Sequence, residues 1–242
     1  MPLRLLTQLS KSFIDLIYPP LCLHCFNGLE KEQPLFCRSC LELLVPIDPE
    51  ERCPYCFSMD FEKMRESCCQ SCSESPPIID RTAAVFDYEG PAATLVKRLK
   101  YGGQSYLAKG AGAYMAAQFI RLEWPLPDAI IPMPMASLRR AERGYNQTLL
   151  LARSLGAILD RPVLDVLKRR GGDFSQAGLS LKQRLELKSD RFAIKKGVKF
   201  EDQCLLLVDD VMTSGSSLRC CAETLFELYP RKIYAMTVCR AI

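Results

Sequence analysis

A single histidine, His24, stands in a chain of 242 residues. That scarcity argues against Ser-His-Asp or Cys-His nucleophilic catalysis and against a histidine-rich metal site. No apolar run reaches the roughly 18 residues that a membrane-spanning helix requires. No G-x-x-x-x-G-K-[ST] segment occurs, which excludes a P-loop, and no G-x-G-x-x-G supports a dinucleotide-binding turn. The net charge is small, +4. This excludes a histone-like basic protein but leaves room for a local nucleic-acid patch. What is present is an ordinary globular composition, 48% apolar and 25% charged. A chain of this length buries about 70% of its unfolded surface. It admits one large domain, or a medium domain with a small one.

The cysteines divide the chain: nine of 13 fall within residues 22–72. Charge divides it in the same place. Residues 1–80 carry a balance of −5, and residues 81–242 a balance of +9. A small acidic module, 21–75, is therefore expected ahead of a basic main domain, 78–242, with the boundary near Ser75-Pro76-Pro77. The cysteines form four knuckles, Cys22-x-x-Cys25, Cys37-x-x-Cys40, Cys53-x-x-Cys56 and Cys69-x-x-Cys72, separated by 11, 12 and 12 residues. Paired CxxC knuckles aim thiolates at a tetrahedral Zn²⁺. A disulfide framework needs an oxidising compartment, and no secretory signal is apparent, so a cytoplasmic protein is expected. Redox CxxC pairs and scattered buried thiols are the competing readings. Eight thiolates suit two structural Zn²⁺, paired sequentially or cross-braced. Cys68 offers an alternative register for the fourth knuckle, and His24 reads as a spacer inside the first. Closed structural sites predict no zinc catalysis, and with little apolar core the metal would supply much of the folding free energy.

Residues 3–17 place Leu5, Leu6, Leu9, Phe13, Leu16 and Ile17 on one helical face, and Pro19-Pro20 ends that N-terminal helix, 1–20. Downstream, strands are expected at Ala83–Tyr88, Asp128–Pro132, Val163–Leu167, Cys204–Val208 and Lys232–Cys239. Helices are expected near 91–100, 105–121, Thr148–Leu159 and Ser216–Leu228, with a polar loop over 169–180. Alternating strands and helices imply an α/β fold with a parallel sheet, and such sheets bind ligands at the carboxyl ends of their strands. One segment matches that rule: Leu205-Leu-Leu-Val-Asp209-Asp210-Val211-Met212-Thr213-Ser214-Gly215-Ser216-Ser217. A buried strand ends in two carboxylates, and hydroxyls around a glycine lead into a helix. The helix N-terminus offers free N–H groups to a phosphate. The glycine permits close backbone approach, and the acids can accept hydrogen bonds from vicinal sugar hydroxyls. A phosphorylated sugar is the expected ligand.

This segment resembles the phosphoribosyl-pyrophosphate (PRPP) motif of type I phosphoribosyltransferases, and the chain as a whole resembles the ComF family. The four knuckles are similar to that family's double zinc ribbon. Phe86-Asp-Tyr-Glu-Gly90 and Leu99-Lys-Tyr-Gly-Gly103 resemble its F-x-Y-x-G and L-K-Y-x-G stretches. Ile131-Pro-Met-Pro134 and Arg139-Arg-Ala-Glu-Arg143-Gly-Tyr-Asn-Gln147 resemble its P-x-P and R-x-R-G-F/Y-N-Q signatures.

The resemblance implies a type I phosphoribosyltransferase-like sheet flanked by helices and preceded by the zinc-ribbon module. It implies that Asp209 and Asp210 bind ribose and that the stretch from Val211 to Ser217 cradles the 5′-phosphate. Pro132, Met133 and Pro134 would form the pyrophosphate-side turn. Arg139, Arg140 and Arg143 would face pyrophosphate or nucleic acid, a solvated face being the alternative. Residues 169–184 resemble a closing loop, with Gln176 and Arg184 at matching positions. That loop departs from the family pattern at Leu187 and at Gly171-Gly172. Mg²⁺ bound with PRPP would neutralise the departing pyrophosphate. Two classes of function follow. One is a phosphoribosyltransferase with an unidentified acceptor, working in DNA uptake. The other is a PRPP-responsive or single-stranded-DNA-binding protein without turnover. The resemblance admits PRPP, single-stranded DNA, other DNA-uptake proteins and a second copy of the chain as partners.

Overall fold

The computed structural model describes residues 19–30, 35–61, 67–170 and 192–241. The expected helix over 3–17, and Gln176 and Arg184 of the expected loop, lie outside them. Two short helices, α1 (Arg38–Glu42) and α2 (Gln70–Glu74), begin inside the second and fourth knuckles. Then come β1 (Arg81–Asp87), α3 (Gly90–Tyr101), α4 (Leu107–Arg121), β2 (Ala129–Pro132), α5 (Ser137–Arg143) and α6 (Gln147–Leu159). The chain continues with β3 (Leu167–Arg169), β4 (Phe192–Ile194), β5 (Cys204–Met212), α7 (Ser216–Phe226) and β6 (Lys232–Arg240).

The main sheet has the order β1-β6-β5-β2, and all its pairings are parallel. Parallel strands covered on both faces read as continuous apolar runs, and Leu205 to Val208 at the sheet centre are fully buried. The helices cover it with one face each. On α3, Ala92, Ala93, Leu95, Val96 and Leu99 are buried, the spacing of an amphipathic helix. Helices α4 and α6 approach closely at Gly112, where a Cβ would lie 2.5 Å from that of Ser154. Asn146 caps α6 by accepting from the Thr148 N–H at 3.2 Å, which satisfies one of the orphan donors of the first turn.

Two differences from the sequence expectation have local causes. The strand expected over Val163–Leu167 reduces to a single parallel bridge, Ile130 to Val163. Pro162 has no N–H to extend that ladder. Asp165 pairs with Lys195 at 3.2 Å, and β3 pairs antiparallel with β4 instead. The second difference is β5, which runs past Val208 to Met212, because Asp209, Val211 and Met212 align with Thr237, Cys239 and Arg240 of β6.

The knuckle segment packs along the free edge of β1. The Ile47 N–H donates to the Val85 carbonyl at 2.8 Å. The Gln118 side chain on α4 donates to the carbonyls of Ile47 and Ala84, at 2.8 and 3.2 Å. Arg52 pairs with Asp87 at 2.9 Å, both largely buried. Phe36, Leu44, Ile47 and Phe57 belong to the same buried cluster as the sheet. Among the described residues, no helix is long and apolar enough to cross a membrane.

Candidate functional site

The cysteines gather into two sets, Cys22, Cys25, Cys37 and Cys40, and Cys53, Cys56, Cys69 and Cys72. Within each set the sulfurs lie within 4.8 Å of one another. The pairing is thus sequential rather than cross-braced, and Cys69 rather than Cys68 completes the second set. All are free thiols. The Cys25–Cys37 and Cys56–Cys69 sulfurs stand 3.5 Å apart, well beyond a disulfide bond. Four thiolates at about 2.3 Å from a tetrahedral ion would stand about 3.8 Å apart, so both sets fit a Zn²⁺-sized ion. The titration pattern agrees. Burial opposes the charge on Cys22, but backbone donors from Cys25, Cys37 and His24 bring it down to about 6. Burial and the neighbouring sulfurs push Cys40 up. Within one set, then, the surroundings favour the charge on Cys22 and oppose it on Cys40. His24 is no ligand: its Nδ1 lies 2.8 Å from the Thr94 hydroxyl on α3.

At the carboxyl edge of the sheet, successive residues of β5 point to opposite faces. Asp210 is buried, and two separate motifs meet on it. The Lys100 ammonium, at the end of α3, lies 2.7 Å from its Oδ1. The Gln147 amide, in the first turn of α6, donates to Oδ2 at 2.6 Å. Arg143 in turn donates to the Gln147 carbonyl oxygen at 2.5 Å, and its guanidinium sits 5.2 Å from the Tyr101 ring centroid. Tyr145 donates to the Leu99 carbonyl at 2.6 Å, locking α3 to the turn before α6. Burial opposes the charge on Lys100, yet Asp210 outweighs it and raises the pKa. Asp209 is half-buried. Burial first, then the charge of Asp210, pushes it up to about 8, against the opposing backbone hydrogen bond from Asp210.

The remaining expected residues surround this pair. Val211 and Met212 are the last residues of β5, so the loop itself is Thr213 to Gly215. Gly215, at φ 70°, starts α7, a backbone state that favours glycine. Ser214, Ser216 and Ser217 are exposed at that helix N-terminus. Met133 is held by Val208, to whose carbonyl its N–H donates at 2.9 Å. Its own carbonyl accepts from Asn146 and Thr148, and this shapes the turn from Pro132 to Pro134. Arg139 and Arg140 are exposed on α5, and Arg143 is half-buried. A cleft of about 270 Å³ joins Lys100, Met133, Arg143, Gln147, Asp209 and Ser217. Lys100 and Gln147 were quoted in the sequence motifs without a role. The available signal is that Lys100 falls one turn after buried Val96, on the apolar stripe of α3, where an unpaired lysine is costly.

A parallel sheet flanked by helices, with an acid pair and a hydroxyl-rich helix start at its carboxyl edge, defines a type I phosphoribosyltransferase-like protein. No protein-family model matches the chain. Competence protein F of Haemophilus influenzae is 30% identical over 228 residues, 91% of this chain and 96% of that protein. The DNA utilization protein YhgH of Escherichia coli K12 is 26% identical over 179 residues, covering 72% and 78% of the two chains. Competence protein ComFC of Bacillus subtilis is 26% identical over 151 residues, covering 62% and 60%. The chain belongs to the ComF family of competence proteins. Among solved structures, the purine phosphoribosyltransferase of Pyrococcus horikoshii aligns at a TM-score of 0.34 and 21% identity, over 52% of this chain and 68% of that one. The adenine phosphoribosyltransferase of Thermoanaerobacter pseudethanolicus aligns at 0.37 and 17%, over 57% and 82%. The fold class rests on the sheet and the family, not on these alignments.

Proposed function

We propose that this protein binds PRPP at the carboxyl edge of its sheet and transfers the phosphoribosyl group to an acceptor, in the service of DNA uptake. The observation that carries this reading is the convergence of Lys100, Gln147 and Asp210 beside Asp209 and the start of α7. A carboxylate has about four acceptor positions. Lys100 and Gln147 occupy two on Asp210, which leaves room for a ribose hydroxyl. Asp209, readily protonated, can accept one hydroxyl and donate to another. The free N–H groups and hydroxyls from Thr213 to Ser217 would hold the 5′-phosphate. The Met133 turn, Arg139 and Arg143 would face the pyrophosphate. Mg²⁺ bound with PRPP would supply charge neutralisation for the departing pyrophosphate, and the Asp210 carboxylate would favour positive charge developing on the ribose. Residues 21–75 would be a double zinc ribbon with a structural role and 78–242 the catalytic unit. The compartment would be the cytoplasm, where thiols stay reduced. The names of the relatives, in competence and DNA utilization, support the biological setting.

The test is calorimetry with PRPP and Mg²⁺ on the wild type and on a double variant, Asp209→Asn with Asp210→Asn. The charge-assisted hydrogen bond to Asp210 is worth roughly 1.5–3 kcal/mol and the neutral one to Asp209 roughly 0.5–1.5 kcal/mol, so affinity should fall roughly tenfold to a thousandfold while metal content is retained. A double variant that binds PRPP like wild type would refute the assignment. Pyrophosphate release across a panel of acceptors then decides turnover.

The second reading, a single-stranded-DNA binder, draws on one surface. Tyr101 is 80% exposed, beside the exposed arginines of α5. Exposed aromatics interleaved with cations suit stacked bases and a phosphate backbone. Replacing Arg139, Arg140 and Arg143 should then lower DNA affinity and the salt slope. A slope unchanged in that variant removes this surface from consideration.

A further inference from the structure

Helix α3 is held from two sides. Ala92, Ala93, Leu95, Val96 and Leu99 are buried, and its last turn brings Lys100 to Asp210. Another face meets the first cysteine site. His24 Nδ1 lies 2.8 Å from the Thr94 hydroxyl. The Arg98 guanidinium sits over the Phe26 ring, 5.9 Å from its centroid. Thr94 and Arg98 are one turn apart and so share a helix face. Both contacts come from one short segment, Cys22-Leu-His24-Cys25-Phe26.

The cysteine cluster itself requires neither side chain, since its four sulfurs come together without them. Phe26 has a left-handed backbone, φ 62°, and so has Phe57, which holds the same place after the third knuckle, φ 58°. That state favours glycine, so a phenylalanine there needs a use for its ring. Phe57 has one: it is 2% exposed and belongs to the core of the sheet. Phe26 is 60% exposed, and its ring contact is with Arg98. The two cysteine sites differ in a second way. Cys22 and Cys40 belong to the buried cluster of the sheet, whereas Cys53, Cys69 and Cys72 form a cluster of their own.

We propose that His24 and Phe26 are positioning residues, which fix α3 against the sheet and thereby set Lys100 on Asp210. The inference rests on the PRPP reading above, which gives Asp210 to the ribose. Arg98 precedes Lys100 by two residues, about 3 Å of helix rise. Between them the Leu99 carbonyl accepts from Tyr145 at 2.6 Å. A small shift of α3 therefore moves the ammonium off its 2.7 Å contact with Asp210.

The test titrates the full chain, with its metal, against PRPP and Mg²⁺ by calorimetry. Thr94→Val removes the hydroxyl without touching the knuckle, and Thr94→Ser restores it. Phe26→Gly suits the left-handed backbone and removes only the ring. Thr94→Val and Phe26→Gly should each weaken PRPP roughly two- to tenfold, with metal content unchanged. Thr94→Ser should bind like wild type. In a Lys100→Met background neither substitution should weaken PRPP further. Gln118→Leu removes a donor to Ile47 and Ala84 rather than to α3, so it should lower Tm and spare PRPP affinity. Positioning is also read without ligand. The Lys100–Asp210 coupling from urea unfolding should shrink when Thr94→Val and Phe26→Gly are combined. The proposal is overturned if PRPP affinity or that coupling stays at its wild-type value, if the losses persist in Lys100→Met, or if Gln118→Leu weakens PRPP as much. If the wild type binds no PRPP, the PRPP reading falls and the unfolding coupling alone decides the positioning.

Discussion

Lys100→Met tests the electrostatic centre of the site. The substitution keeps most of the aliphatic stem and removes only the ammonium. Lys100 lies 2.7 Å from Asp210, with side-chain exposures of 21% and 4%. Breaking a buried pair by removing one partner costs about 3–5 kcal/mol, because the remaining charge is stranded. The partial exposure of Lys100, and the Gln147 donor that stays on Asp210, place the expected loss near the lower bound, about 3 kcal/mol. At about 2–4 °C per kcal/mol for a chain of this size, Tm should fall by about 6–12 °C. Asp210→Asn alone should also destabilise, by stranding the ammonium. The two together should recover part of the loss, since neither charge is then uncompensated. Thermal and urea unfolding of the four proteins closes a double-mutant cycle. The reasoning is refuted if Lys100→Met unfolds within about 0.5 kcal/mol of wild type, or if the two losses simply add. Because Asp210 holds Lys100 above its ordinary pKa, the pair's contribution should persist at low alkalinity. It should fade only as pH climbs past about 10.4 toward the folded-state value.

Asp209 should behave in the opposite sense. Its raised pKa, about 8, means that the folded protein keeps a proton that the unfolded chain releases near pH 4. Stability should fall as pH rises across that window, by at most about 1.4 kcal/mol per unit. Asp209→Asn should therefore raise Tm most at pH 8 and least near pH 4, while weakening PRPP. A Tm difference that is flat over this range would contradict the stated cause. Elemental analysis of protein purified without chelator should give two Zn²⁺ per chain. It should give one after Cys37→Ser with Cys40→Ser, and a value near zero in reduced, folded wild type removes the metal assignment.

How much of this was legible in the sequence depended on whether a signal was local. The knuckles, the apolar run Leu205–Val208 and the helical faces of α3 and α6 are local, and each stands where its period and punctuation placed it. The far end of β5 was not legible. Asp209 and Asp210 read as the end of a strand, because polar residues in a central strand are tolerated only where partners such as Lys100 and Gln147 meet them. Those partners come from positions 110 and 63 residues away. Helix α5 was missed because its arginines and glutamate show no apolar stripe. Its one signal is Gly144, which ends it in the left-handed conformation at φ 80°, as a helix-stopping glycine does. The choice between sequential and cross-braced knuckles was open in the spacing alone, since gaps of 11, 12 and 12 residues serve both. Packing of Phe36 and Phe57 into the sheet's own core was equally silent, because neither residue belongs to a periodic run.

The contact between the knuckle segment and β1 bears on how the chain can be cut. A sheet edge with unpaired backbone groups is a template for another chain, and in this protein Ile47 and Pro54 of the knuckle segment pair with Val85 and Thr82 on the β1 edge. A fragment beginning at residue 78 would keep every strand of the described residues yet present that part of the edge, along with the apolar ground left by Phe36, Leu44 and Phe57. Such a fragment invites strand addition and fibrous or swapped assemblies, so the segment upstream of the sheet also guards its solubility.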